Sequence, residues 1–106
     1  MGMQKTIKLN VGTSEELWPY QVVDVIEQVM EEGEVNHAHG SWEDEPWIYH
    51  MNCASLHIQA YHEGDRSEDH LAHAFTRLMM AVAIKGDYGQ SEFDAMVAER
   101  DKKVRG

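Results

Sequence analysis

The chain has almost no cysteine: of its 106 residues only Cys53 is one. That excludes an intrachain disulfide framework and a thiolate zinc cluster. Basic charge is scarce too. Nine Lys and Arg stand against nineteen Asp and Glu, a formal charge of −10. A sequence-independent nucleic-acid binder needs clustered Lys and Arg to neutralise phosphate, so a nucleic-acid polymer is not an expected partner. No apolar run approaches the roughly 20 residues that span a bilayer, and the start, MGMQKTIKLNVG, has no apolar signal core. No membrane is therefore expected, and the default compartment is cytoplasmic. The phosphate loop GxxxxGK[ST] is missing, as are GxGxxG, HExxH and GxSxG. What remains is a chain with 42% hydrophobic residues and three Trp, enough for one folded domain. It is small enough that self-association would help to stabilise it.

The most informative stretch is Ser67 to Lys85, SEDHLAHAFTRLMMAVAIK. Ser67 can cap a helix, and Glu68 and Asp69 put negative charge in its first turn, where the helix dipole favours it. Leu71, Phe75, Leu78 and Val82 recur at helical spacing, which predicts a core stripe. His70, His73 and Arg77 lie on a different stripe. The helix is expected both to pack and to bind something anionic or metallic.

Upstream, Lys5 to Val11 alternates polar and apolar residues and reads as a short extended arm or strand. Pro19 is tolerable only in a first turn, which sets a helix from about Trp18 to Glu32. Val22, Val25, Ile26, Val29 and Met30 form its apolar arc. Asp24, Glu27 and Glu31 align on the opposite side, as a solvated acidic face or as carboxylates that a cation would draw together. Glu34 to Pro46, EVNHAHGSWEDEP, lacks periodicity and reads as a loop. Its His37 and His39 can be solvent-exposed or metal-ligating. Its Trp42 can lid a core or stack on a base. A second helix is expected from about Trp47 to His62. It is apolar nearly all round, through Met51, Ala54, Leu56, Ile58 and Tyr61, and so belongs at the centre of a bundle. His50 and His57 share one side of it. Gly64 ends it, Gly86 to Gly89 is a turn, and Ser91 to Lys103 is a last amphipathic helix with Phe93, Met96 and Val97 inward. The expected fold is all-α: one compact bundle of about four helices behind a short N-terminal arm.

Three stretches in this order resemble a known family. Val29-Met30-Glu31-Glu32-Gly33 runs through a His-rich loop to Gly40-Ser41-Trp42. A helix holding His57 then ends at Gly64-Asp65. Last comes Glu68-Asp69-His70-Leu71-Ala72-His73-Ala74. Together they resemble the small, often phage-encoded N-terminal domain of dATP/dGTP diphosphohydrolases. That domain is similar in turn to the all-α, MazG-type nucleoside triphosphate pyrophosphohydrolases. The likeness covers roughly Ile7 to Ile84, and the HLxHA stretch after a glycine–acid turn is its most specific part.

The resemblance implies an all-α bundle assembled as a homo-oligomer, Mg²⁺ held by carboxylates, and cleavage of a nucleoside triphosphate into monophosphate and pyrophosphate. Carried over by position, Glu31 is expected to ligate the metal and take part in catalysis, with Glu27 beside it. Asp65, Glu68 and Asp69 are the further candidate ligands. His57, His70 and His73 are expected at the phosphates or the attacking water, and Arg77, Trp42 and His50 at the bound nucleotide. Arg77 stands where an asparagine commonly follows HLxHA, and His70-x-x-His73 stands where MazG-type enzymes have Glu-x-x-Asp. Magnesium prefers oxygen ligands, so those histidines favour Mn²⁺, another transition metal or direct phosphate contacts. Two other expectations stay open: a non-catalytic protein that sequesters or senses nucleotide, and a structural oligomer whose histidines tune stability with pH.

Overall fold

The computed structural model describes residues 14–105. They form four helices, α1 (Ser14–Gly33), α2 (Trp47–His62), α3 (His70–Lys85) and α4 (Gln90–Arg105), with a short 3-10 turn, Ser41–Asp44, after α1. Among the described residues there is no strand, and no helix is long and apolar enough to cross a membrane. The arm expected over Lys5 to Val11 lies outside them.

Helix α1 begins at Ser14, so Pro19 stands inside it and not at its start. Proline in a helix interior costs about 3 kcal/mol through its missing donor and its ring clash. Beyond the proline the same helix buries Val23, Ile26 and Met30, each side chain contributing roughly 1.5–3 kcal/mol, which together offset that cost. The buried arc is rotated from the expected one: Val23 is 1% exposed and Val25 is 38% exposed. Val23, Ile26 and Met30 meet Trp42, Met80 and Phe93 in one cluster, ringed by Val22, Met79, Ile84 and Val97. The core thus lies between α1, α3, α4 and the 3-10 turn. Met96, expected inward on α4, is exposed.

Helix α2 has the expected ends but not the expected place. It packs along α3, where the small side chains of Ala54, Ala74 and Ala81 are buried and let the two helices approach. Its larger apolar residues, Met51, Leu56, Ile58 and Tyr61, are exposed. The central helix is α3, which touches α1, α2 and the 3-10 turn. Its predicted core stripe is outside: Leu71, Phe75, Leu78 and Val82 are 48%, 44%, 40% and 71% exposed. His70, Thr76 and Met80 are buried in their stead.

The connections are built from specific bonds. Gly64 takes φ +97° after α2, and the Gly64 and Asp65 N–H groups donate to the carbonyls of Tyr61 and Ala60. This paired closure requires a left-handed residue, which glycine supplies without a β-carbon clash. Ser67 does not cap α3, which starts two residues later than expected. Asp69 is the cap, and its side chain accepts from the Ala72 N–H at 3.1 Å. The loop after α1 is pinned to the start of α4. Trp42 Nε1 donates to Gln90 Oε1 at 2.7 Å, and the Gln90 N–H donates to Glu43 Oε2 at 2.6 Å. Gly89 makes room for this lock, since a β-carbon there would lie 2.8 Å from Glu43 Oε2.

Candidate metal centre and adjoining cavity

Three elements converge at one end of α3. His57 comes from the third turn of α2, Glu68 from the α2–α3 connection and His73 from the first turn of α3. One ligand atom of each lies within 4.8 Å of the other two. His73 Nε2 also stands 3.4 Å from Glu32 Oε1 and 3.6 Å from Glu68 Oε1. Burial first, and then the neighbouring His73, lower the pKa of His57. A neutral imidazole is the form that ligates a cation.

Behind this cluster runs a chain of hydrogen bonds. Asp65 Oδ1 accepts from the Ser67 N–H at 2.9 Å, the local turn expected of an aspartate two residues upstream. Asp65 Oδ2 lies 2.9 Å from His70 Nε2, and His70 Nδ1 lies 2.9 Å from His57 Nδ1. The Ser67 N–H, followed by the His70 ring, holds the Asp65 carboxyl well below the usual carboxylate range. The left-handed turn at Gly64 is what brings Asp65 back to α3.

His73 also lines a cavity of about 320 Å³ that reaches Trp42, His50, Thr76 and Arg77. His50 is fully buried. Its Nε2 lies 2.9 Å from the Trp42 carbonyl and its Nδ1 2.9 Å from Arg77 Nη1. Carbonyl and guanidinium dictate one arrangement: Nε2–H donates to the carbonyl, and Nδ1 accepts from Arg77. Burial, with the Arg77 charge adding to it, keeps that ring below the ordinary histidine pKa. Arg77 is therefore held by one N–H and retains four others. Thr76 Oγ1 is buried and has no hydrogen-bond partner among the described residues.

The residues singled out from sequence fall into separate places. His57, His70, His73, Asp65 and Glu68 are together, and His50, Trp42 and Arg77 border the cavity beside them. Glu27 is not with them: Arg100 Nη1 donates to it at 2.7 Å and to Asp24 at 2.6 Å, which ties α4 to α1. Asp69 is occupied as the α3 cap. Glu31 borders a second cavity with Glu27, His39 and Asp94. The carboxylate that meets His73 is that of Glu32, one residue beyond Glu31 and about 100° further round the helix. Trp42 is buried, with its indole N–H committed to Gln90. His39 bridges Glu34 and Asp94, and His37 lines the larger cavity. Glu32 and Thr76 escaped the sequence reading. Glu31 and Glu32 are neighbours in the chain, and only the phase of α1 against α3 separates them.

Fold and site together define an all-helical protein that sets carboxylates and imidazoles fit for a divalent cation beside a cavity walled by an arginine. The family described as dATP/dGTP diphosphohydrolase, N-terminal, matches residues 6–94, and the chain belongs to it. No curated protein and no solved structure matches. The family description points to a hydrolase of nucleotides, and hydrolysis of that kind calls for a divalent metal.

Proposed function

We propose that the protein is a metal-dependent nucleotide pyrophosphohydrolase, which converts a nucleoside or deoxynucleoside triphosphate and water into the monophosphate and pyrophosphate. One observation carries this reading: His73 belongs both to the cluster with His57 and Glu68 and to the wall of the cavity that Arg77 borders. His73 and Arg77 are four residues apart on α3, so they share a face. A phosphate chain that reaches one is brought to the other.

His57, Glu68 and His73 would hold a divalent cation, which would supply charge screening for the phosphates and a more acidic water. The chain's own groups do the rest. Arg77, oriented by His50, offers its remaining N–H groups to phosphate oxygens. Thr76 has a hydroxyl to donate inside the same cavity. Val29, Met30 and Met80 give the cavity an apolar wall suited to a base. Glu32 lies beside His73, and in this reading its carboxylate takes the proton of the water that attacks the α-phosphorus. The bond from that phosphorus to the bridging oxygen breaks, and pyrophosphate leaves. The same reading takes the protein as a homo-oligomer, because the outward apolar faces of α2 and α3 call for a cover.

The test is incubation with a mixed pool of ribo- and deoxynucleoside triphosphates plus Mg²⁺ or Mn²⁺, with products resolved by chromatography. The expected result is one monophosphate with pyrophosphate, abolished by EDTA and by Glu32→Gln. An untouched pool, with folded and metal-loaded protein, would leave nucleotide binding without turnover as the reading.

A further inference from the structure

We propose that His57, His73 and Glu68 bind a transition-metal dication of the zinc class in preference to magnesium, and that Asp65 and His70 are the positioning residues of that site. The inference rests on the metal-dependent reading above and deepens it by naming the class of cation.

The donor set argues first. Two imidazoles and one carboxylate, with ligand atoms within 4.8 Å of one another, match the three-ligand sets that hold zinc while leaving a position open. Imidazole suits zinc, iron, nickel and copper, whereas magnesium demands oxygen ligands in near-octahedral geometry. Among the described residues no all-oxygen set of three is assembled. Glu27 is taken by Arg100, Asp69 by the start of α3, and Asp65 by Ser67 and His70.

The hydrogen-bond chain argues independently. Ionised Asp65 can only accept, so His70 Nε2 must carry the proton between them. With that one proton on the ring, His70 Nδ1 is the acceptor, and the proton in the 2.9 Å contact with His57 Nδ1 belongs to His57. That fixes the His57 tautomer with its lone pair on Nε2. A carboxylate acting through the far nitrogen of a ring is the usual way proteins orient metal-ligating histidines; here a second histidine extends the relay by one ring. The site is also reachable: the side chains of His73 and Glu68 are 25% and 47% exposed.

The experiment titrates metal-stripped protein with Co²⁺, followed by visible absorption, and with Zn²⁺ by calorimetry, both without nucleotide. The expected result is one ion per chain, with a cobalt band that survives a large excess of Mg²⁺ and is lost in His57→Ala. Glu68→Gln, at an exposed position, gives the same loss should His57→Ala fail to fold. Asp65→Asn should weaken Zn²⁺ binding about 10–100-fold with an unchanged circular-dichroism spectrum. Displacement of Co²⁺ by an equal concentration of Mg²⁺, or undiminished Zn²⁺ affinity in Glu68→Gln, would overturn the site. Undiminished affinity in Asp65→Asn would overturn the positioning role. Turnover is scored separately. Zn²⁺ bound by a protein that hydrolyses no nucleotide keeps this site and removes the pyrophosphohydrolase reading. Hydrolysis with Mg²⁺ by a protein that binds neither Co²⁺ nor Zn²⁺ does the reverse.

Discussion

The two faces of α3 reverse the assignment that hydropathy suggests. The face toward α1, α2 and the 3-10 turn carries His70, His73, Thr76, Arg77 and Met80, buried or half-buried. The face toward solvent carries Leu71, Phe75, Leu78 and Val82. A polar residue can occupy an interior only when its hydrogen bonds are met, and the inner face meets that condition almost throughout. His70 has Asp65 and His57, and Arg77 has His50. Thr76 is the one exception, and it opens on the cavity. A pattern of apolar residues at helical spacing identifies a face that avoids water. It does not say whether that face is covered by the same chain or by another.

The comparison can be broken most forcefully at Met80. It is the inner-face member of the core cluster, and Met80→Ala should cost about 2–5 kcal/mol, measured by urea unfolding. A loss no larger than that of Val82→Ala would mean that the two faces are equivalent and the comparison fails.

Next in size is Arg77→Met, which removes a charge-assisted partner worth about 1.5–3 kcal/mol. Nucleotide affinity, read by equilibrium dialysis, should fall roughly 10–100-fold. Unchanged affinity would place the phosphates elsewhere.

A smaller effect follows from pH. His50 is buried and its pKa is lowered. The unfolded chain takes up a proton on that ring near pH 6.5, and the folded chain resists it. Its contribution to stability is therefore full above about pH 6.5 and is lost as pH falls from there towards the folded value. His39 has the opposite sign, because Asp94 and then Glu34 raise its pKa. Its contribution is present in acid and is lost as pH rises through the folded value. With its side chain 55% exposed, the bridge is worth less than about 1 kcal/mol. Unfolding midpoints of the parent, His50→Gln and His39→Gln across about pH 5 to 8 should separate the two slopes. Parallel profiles in all three proteins would refute the assignment.

The smallest change in folding free energy is expected on the outer face. Phe75→Ser or Val82→Ser should shift monomer stability by no more than roughly 0.5 kcal/mol. The same variants should move a sedimentation profile toward the monomer if a second copy covers that face.

How far the sequence discloses all this differs from element to element. The ends of α2 are legible because Pro46 precedes it and Gly64 follows it, and both act locally. The start of α3 is not, because Ser67, Glu68 and Asp69 are all plausible at a helix start, and the contact of Asp65 with both Ser67 and His70 decides among them. The histidines of HLxHA stand out by type and spacing, so His70 and His73 pair from the chain alone, whereas His57 joins them only through the family resemblance. Glu32 could not be preferred to Glu31, since that choice depends on the rotation of α1 against α3. The locks from Trp42 to Gln90 and from His39 to Asp94 join segments far apart in the chain, and neither end carries a local pattern that announces the other.

Gly89 illustrates what such a lock does to tolerance. Alanine there would meet the Glu43 carboxylate at 2.8 Å. The carboxylate can swing aside, but only by releasing the Gln90 N–H that it holds, at a cost of about 1 kcal/mol. Gln90 is also the partner of Trp42 and a wall residue of the cavity. A survey of single substitutions scored on nucleotide affinity would therefore flag position 89 alongside residues that touch the ligand. Gly33 has nothing within 4 Å of the space its β-carbon would fill but lines the same cavity, so alanine there should leave the fold intact and act, if at all, on the ligand itself. Sensitivity at Gly89 would report the bolt that fastens the wall, not the chemistry behind it.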